Sequence, residues 1–205
     1  MKKSSLLLLM FVPMIGFGQT AKEYFNQGND CLDKGDHEEA IYYYTKAIKI
    51  DPDFADAYRA RAWEYESLQM YKESIEDFTK GIIIIGPDNR FLWEWYQNRG
   101  IAYSSFGKTE EAIADYTKSI KLYPNESAYA NRANQYCFLG KCTEAIADYT
   151  RCIILEPKNP YWYWYRSQEK AHEDLSYCSD VKKAWELKGD SEIIFLEEWY
   201  YIHCN

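Results

Sequence analysis

The chain is poor in the residues and patterns that carry enzyme chemistry. Its 205 residues include three histidines, His37, His172 and His203, with no cysteines or carboxylates around them at metal-ligand spacing. His203 next to Cys204 is the nearest thing to a ligand pair, and a chain-end histidine beside a cysteine is ordinary surface. No His-Glu-x-x-His, Gly-x-Ser-x-Gly or Gly-x-x-x-x-Gly-Lys-Ser/Thr pattern occurs, so nothing points to a metallopeptidase, a serine hydrolase or a P-loop nucleotidase. Neither a metal nor a cofactor is expected. Basic residues are also in deficit, 24 Lys and Arg against 32 Asp and Glu for a net charge of −8. Such a surface repels phosphate backbones and anionic lipid, which makes nucleic acid and membrane surfaces poor partners. Long apolar runs are missing too. Leu6–Ile15 is apolar for about ten residues, where a bilayer span needs about 20.

That short run has a different meaning. Lys2 and Lys3 precede it and Gly16-Phe17-Gly18 follows it, the layout of a secretory signal peptide over residues 1–18. Export to the periplasm or the extracellular space is therefore expected, with no integral membrane span after cleavage. No cysteine occurs between the run and Cys31, so a lipid-anchored cysteine at the cut is not expected. The Phe-Gly-Gln ending resembles exported proteins of Bacteroidota-type bacteria. An exported chain with six cysteines raises the question of disulfides, whose connectivity sequence does not fix. Cys31 and Cys152 fall at interior helical positions and read as small buried hydrophobes. Cys178 and Cys204 sit on the last two helical segments and form a candidate staple worth ~3 kcal/mol by loop closure. Cys137 and Cys142 flank a tight turn and form a second candidate pair.

What the chain has in abundance is repetition. Glu-Ala-Ile-Ala-Asp-Tyr-Thr-Lys-Ser-Ile (111–120) returns as Glu-Ala-Ile-Ala-Asp-Tyr-Thr-Arg-Cys-Ile (144–153), with looser copies starting at Glu39 and Glu73. The four starts are 34, 38 and 33 residues apart, a period that means one supersecondary unit stacked on copies of itself. Each unit reads as two amphipathic helices and a turn. In the third, Tyr96, Arg99, Gly100 and Tyr103 share one helical face, Phe106-Gly107-Lys108 breaks the helix, and Ala112, Ile113, Tyr116, Ile120 and Leu122 mark a second stripe. Thr109 with Glu110 and Glu111 predicts an N-cap and an acidic first turn, as do Glu38 and Glu39 in the first unit. Pro124-Asn125 ends the unit. Gly100 and Ala112 are expected to be small because two helices cross there. Most of the 20 Tyr and 7 Trp are expected to be packing residues.

On these residues the chain resembles the tetratricopeptide repeat family. Its 34-residue template is matched by Tyr24, Gly28, Cys31, Ala40, Tyr44, Ala47 and Pro52 in the first unit. The second has Tyr58, Ala62, Tyr65, Ser74, Phe78 and Gly81, and the third Tyr96, Gly100, Tyr103, Ala112, Tyr116, Ser119 and Pro124. The fourth has Tyr129, Ala133, Tyr136, Ala145, Tyr149, Cys152 and Pro157. The resemblance implies an all-α, right-handed α-solenoid over 19–205, with units at about 21–54, 55–92, 93–125 and 126–159. A degenerate fifth unit follows at 160–188, opened by Asn159-Pro160 and with Val181 in an aromatic's place. A capping helix at 191–203 closes the array. The second unit overruns by four residues through Gly81-Ile-Ile-Ile-Ile-Gly86. That implies a longer helix or a bulged loop, and an isoleucine run that needs burial to be safe.

The resemblance further implies that the first helix of each unit lines a concave groove. The residues facing it would be Phe25 and Asn29, Arg59 and Trp63, Gln97 and Ile101, Ala130 and Asn134, then Trp164 and Gln168. Aromatic anchors with amides and one arginine suit an extended peptide or a partner's tail, although Phe25, Trp63 and Trp164 can equally serve as packing. The two-carboxylate clamp of chaperone-binding members matches only at Asn29, since Phe25 stands where it needs lysine and Ala60 replaces an asparagine. The leading expectation is a non-enzymatic scaffold that binds a protein or peptide partner in its groove. The rivals are a structural assembly component that self-associates, and a disulfide-rich Sel1-like repeat enzyme, which usually carries a cysteine pair in most repeats.

Overall fold

In a computed structural model, residues 19–173, 175–188 and 204 are described, and they form ten α-helices with no strand among them. The order is α1 Ala21–Leu32, α2 His37–Ile50, α3 Ala55–Ser67, α4 Tyr71–Ile85 and α5 Leu92–Ser105. It continues with α6 Thr109–Leu122, α7 Glu126–Phe138, α8 Cys142–Leu155, α9 Pro160–His172 and α10 Cys178–Leu187. Consecutive helices pack antiparallel, first helix on second and second on the next unit's first, which is the arrangement of a helical solenoid. The capping helix expected at 191–203 and the signal peptide at 1–18 lie outside the described residues.

Local chemistry sets the helix ends. Thr20 and Glu23 form a reciprocal capping box at the start of α1. Asn125 caps α7, accepting from the Ala128 amide at 2.9 Å, and Asn159 caps α9 ahead of Pro160. Thr109 does not cap α6. It is the first helical residue, nearly fully buried, and Lys108 takes the cap position without a side-chain hydrogen bond. The turn is closed instead by Gly107 at φ +76°, and the acidic pair Glu110 and Glu111 remains in the first turn. The equivalent turn of the second unit uses Gln69 at φ 60°, a left-handed conformation that carries strain in any residue with a side chain.

The extra residues of the second unit are shared between helix and loop. α4 has 15 residues against 14 in α2, α6 and α8, and the rest extend the connection from Gly86 to Phe91. The isoleucine run is helical rather than extended; Ile82 and Ile85 pack against the core while Ile83 is 69% exposed.

Side chains at the crossings interlock ring into notch. A Cβ on Gly100 would lie 2.8 Å from the Tyr116 ring, and one on Gly81 would collide with the Trp95 ring. Gly100 therefore makes room for a ring rather than for a helix backbone. Val181, with no exposed surface, fills the aromatic's place in the fifth unit beside Trp164 and Ala184. Cys31 and Cys152 are buried in the core, and Cys137 and Cys142 are free thiols. The Cys178 and Cys204 sulfurs are 2.06 Å apart, in a disulfide.

One polar device recurs in every unit after the first. Arg99 of α5 holds Asp115 of α6 in a fork, Nε to Oδ2 at 2.6 Å and Nη2 to Oδ1 at 3.0 Å. Its Nη1 donates to Thr79 Oγ1 of the preceding unit at 2.9 Å. Arg61 does the same with Asp77 and Thr45, Arg132 with Asp148 and Thr117, and Arg166 with Asp180 and Thr150. Arg61, Arg99 and Arg132 each also lie about 6 Å from two tyrosine rings of their own helix, Tyr96 and Tyr103 in the case of Arg99, and Arg166 lies as close to Tyr163. Asp115 is only 2% exposed. Removing one member of such a pair strands a buried charge. Asp115→Ala should therefore lower stability by about 3–5 kcal/mol in urea unfolding, and the apolar pair Arg99→Met with Asp115→Leu should recover most of that loss.

Candidate binding groove

Pockets are strung between successive first helices. The first, of about 310 Å³, lies between α1 and α3. Phe25, Asn29 and Leu32 form one wall, Arg59, Ala60 and Trp63 the other, and Tyr44, Asp56 and Glu64 complete it. A second, of about 290 Å³, lies between α5 and α7 and includes Ser104, Asn134, Gln135 and Phe138. A third, of about 340 Å³, lies between α7 and α9 and is lined by Glu126, Ser127, Ala130, Asn131, Asn134, Trp162 and Tyr165. The second helices contribute Tyr44 and Thr109 to these walls.

The tetratricopeptide repeat family model matches residues 21–54 and 93–126. Among solved structures, MamA superposes with a TM-score of 0.76 at 23% identity, over 82% of this chain and 92% of MamA. Two units, 21–54 and 93–126, thus match the tetratricopeptide repeat, and the described helices share the fold of such arrays. YrrB, described as a tetratricopeptide protein with an unusual peptide-binding site, superposes at 0.72 with 18% identity, over 88% of this chain and 92% of that one. The first repeat domain of Spaghetti (RPAP3), solved with the HSP90 peptide SRMEEVD, superposes at 0.54 with 28% identity, over 60% of this chain and 94% of that one. By sequence, Serine/threonine-protein phosphatase 5 of Rattus norvegicus is 30% identical over 114 residues, 56% of this chain and 22% of that protein. A Small glutamine-rich tetratricopeptide repeat-containing protein of Dictyostelium discoideum is 38% identical over 109 residues, 53% of this chain and 31% of that protein. The chain thus spans between about a fifth and a third of these curated relatives.

The helical array treats the ten groove candidates unequally. Phe25, Asn29, Arg59 and Trp63 share the first pocket, and Ala130 and Asn134 share the third. Trp164 is buried against Val181 and Ala184, so it is a packing residue, while Gln168 on the same helix is exposed. Ile101 is half-buried. Gln97 reaches across to α7 and donates to Ser127 Oγ at 3.3 Å. Asn29 and Asn134 are exposed, yet each accepts a hydrogen bond from a second-helix tyrosine, Tyr44 at 2.8 Å and Tyr149 at 2.6 Å. These two amides thus join the groove to the core. Among the described residues no His, Cys, Asp or Glu cluster could hold a metal ion, and no helix is long and apolar enough to cross a membrane.

Two charged groups beside the groove, Glu64 and His37, were invisible to the repeat template. Glu64 of α3, 7% exposed, bonds His37 Nδ1 of α2 at 2.6 Å. That bond to Glu64 raises the His37 pKa. Its contribution is complete below the ordinary histidine value and is lost as pH climbs through the raised one. Arg59 bonds Asp56 at 2.8 Å, approaches Glu94 at 3.9 Å and lies over the rings of Trp63 and Trp95. Glu66, two residues from Glu64, has Oε1 buried with no partner.

Burial pushes the Glu66 carboxyl up to about 7. The folded protein then holds a proton that the unfolded chain has already released, so stability falls as pH rises from 4.5 to about 7. Glu66→Gln should leave stability unchanged at pH 4 and raise it by about 1 kcal/mol above pH 7, the ceiling set by the shift being reduced by partial solvent screening. Thermal unfolding of both proteins across that range checks the sign and the window.

Proposed function

We propose that this chain is a non-enzymatic, exported scaffold that binds a protein or peptide partner along its first helices. The observation that carries the reading is the succession of aromatic- and amide-lined pockets between α1 and α3, α5 and α7, and α7 and α9. Pockets spread along the array fit an extended ligand better than a compact one. Tyrosine and tryptophan offer contact area at low entropic cost, while asparagine and glutamine can bond a peptide's main chain. Spaghetti and YrrB, whose descriptions mention peptides, support the same class of ligand.

The mode of the Spaghetti complex does not transfer directly. An acidic peptide tail needs basic side chains, and the α1–α3 pocket offers Phe25 and Ala60, with Arg59 already engaged by Asp56 and Glu94. Export is proposed from the signal-like residues 1–18. Trp63 is 45% exposed and Arg59 lies on its ring, so both can be removed without opening the core. The double variant Trp63→Ala, Arg59→Ala should keep its helical content by circular dichroism and lose at least about tenfold in affinity for partners captured by the wild-type chain, as loss of a central aromatic anchor does. Unchanged capture would contradict the groove.

A further inference from the structure

Cys137 and Cys142 are both free and both half-buried, one on each side of the turn between α7 and α8. The turn is tight. The Lys141 amide donates to the Tyr136 carbonyl at 2.9 Å, the Gly140 amide donates to the Cys137 carbonyl at 2.9 Å, and Gly140 takes φ +68°. The bond between Tyr136 and Lys141 sets the next residue of each, Cys137 and Cys142, side by side. Their counterparts 33 residues earlier are Ser104 and Thr109, and these two line the same α5–α7 pocket. The two sulfur positions therefore open on a common space.

The same comparison places Glu169 of α9 over that space. Gln135 of α7 reaches back to the preceding unit and donates to Ser104 Oγ at 2.8 Å. One unit later Glu169 stands in Gln135's position and Cys137 in Ser104's, and the Glu169 carboxylate accepts hydrogen bonds from both thiols. Cys137 Sγ also lies 3.8 Å from the Tyr149 hydroxyl, and Cys142 Sγ lies 3.9 Å from the Gly140 carbonyl oxygen. Burial, and then the Glu169 carboxylate, push the Cys137 thiol up to about 12 and raise that of Cys142. Two thiols thus converge on one carboxylate, in a chain that already joins Cys178 to Cys204. Cys31 and Cys152 are buried in different units.

We infer that Cys137 and Cys142 are a site of reversible disulfide formation, with a disulfide of another molecule as the oxidant. Cys142, the more open of the two, releases its proton to solvent and attacks one sulfur of the oxidant, whose other sulfur leaves as a thiolate. Cys137 then loses its proton and attacks the Cys142 sulfur of that mixed disulfide, expelling the second oxidant sulfur. The pair gives up two protons and two electrons, and the oxidant is reduced to two thiols. Hydrogen bonds from S–H to Glu169 exist only in the reduced state. Glu169 therefore favours the dithiol, which keeps the bridge easy to reduce and makes the step reversible. The site stands apart from the groove reading and does not depend on what the groove binds.

The test incubates the full chain with excess oxidised glutathione at mildly alkaline pH, quenches it with acid, alkylates it in denaturant and maps the peptides by mass spectrometry. Cys137 and Cys142 should lose their alkyl labels together, appear joined to each other, and regain the labels after dithiothreitol. Cys31 and Cys152 should stay labelled throughout. Cys137→Ser puts the same side chain there as Ser104 has one unit earlier, so the fold is kept, and this variant should trap glutathione on Cys142. Glu169→Gln should speed oxidation of the pair at least about threefold, because losing the carboxylate lowers both thiol pKa values and frees more thiolate at a given pH. The inference is overturned if both cysteines stay labelled, if glutathione collects on Cys142 of the wild-type chain while Cys137 stays free, or if Glu169→Gln oxidises no faster.

Discussion

The array depends on a polar clasp that is repeated where each unit meets the last. Arg61, Arg99, Arg132 and Arg166 each bind an aspartate of their own unit through two bonds and a threonine of the preceding unit through a third. One side chain thereby fixes both the crossing of two helices within a unit and the step to the next. Apolar packing supplies most of the driving force, but it is non-directional. A guanidinium fork accepts a carboxylate in one plane and at one distance, so it sets register where ring-on-small-residue packing alone would tolerate slippage. The first unit has Gln27 and Tyr43 in the clasp positions, and Gln27 Oε1 is buried without a partner.

The clasp explains why one phrase of the sequence recurs almost unchanged. In Asp-Tyr-Thr at 115–117 and 148–150, the aspartate binds its own unit's arginine, the tyrosine fills the notch in the first helix, and the threonine receives the next arginine. Every position is committed, so none can vary freely. The first helices give up only part of their surface to this work. Their opposite faces are left to differ between units, and there the chain places Phe25 and Trp63 in one pocket, Trp162 and Tyr165 in another. The first helices thus combine stacking contacts with pocket walls, and the Tyr44–Asn29 and Tyr149–Asn134 bonds join the two.

The fold could be read from the sequence because it is periodic. The small-residue notches, the Asn159-Pro160 start and the buried Val181 all follow from the template and from helix chemistry. Thr109 was misplaced by one residue because a threonine before two glutamates looks like a cap, whereas Gly107 already turns the chain. The site was harder to read. The template named Phe25, Asn29, Arg59 and Trp63 together, but it also named Trp164, and only packing against Val181 shows that this ring is core. Glu64 and His37 carried no signal. Glu64 and His37 are 27 residues apart, and a carboxylate on an amphipathic helix normally reads as solvated surface. Their meaning comes from burial, which pairwise spacing does not encode.

Site-specific photocrosslinking in the native cell tests most directly the proposal that partners bind along the first helices. A benzoylphenylalanine at Gln97, half-buried between α5 and α7, should trap a discrete partner. The same residue at Ile83, 69% exposed on the second helix α4, should trap none. A partner captured from Ile83 and absent from Gln97 would contradict it, and would move the function of this array to its outer surface.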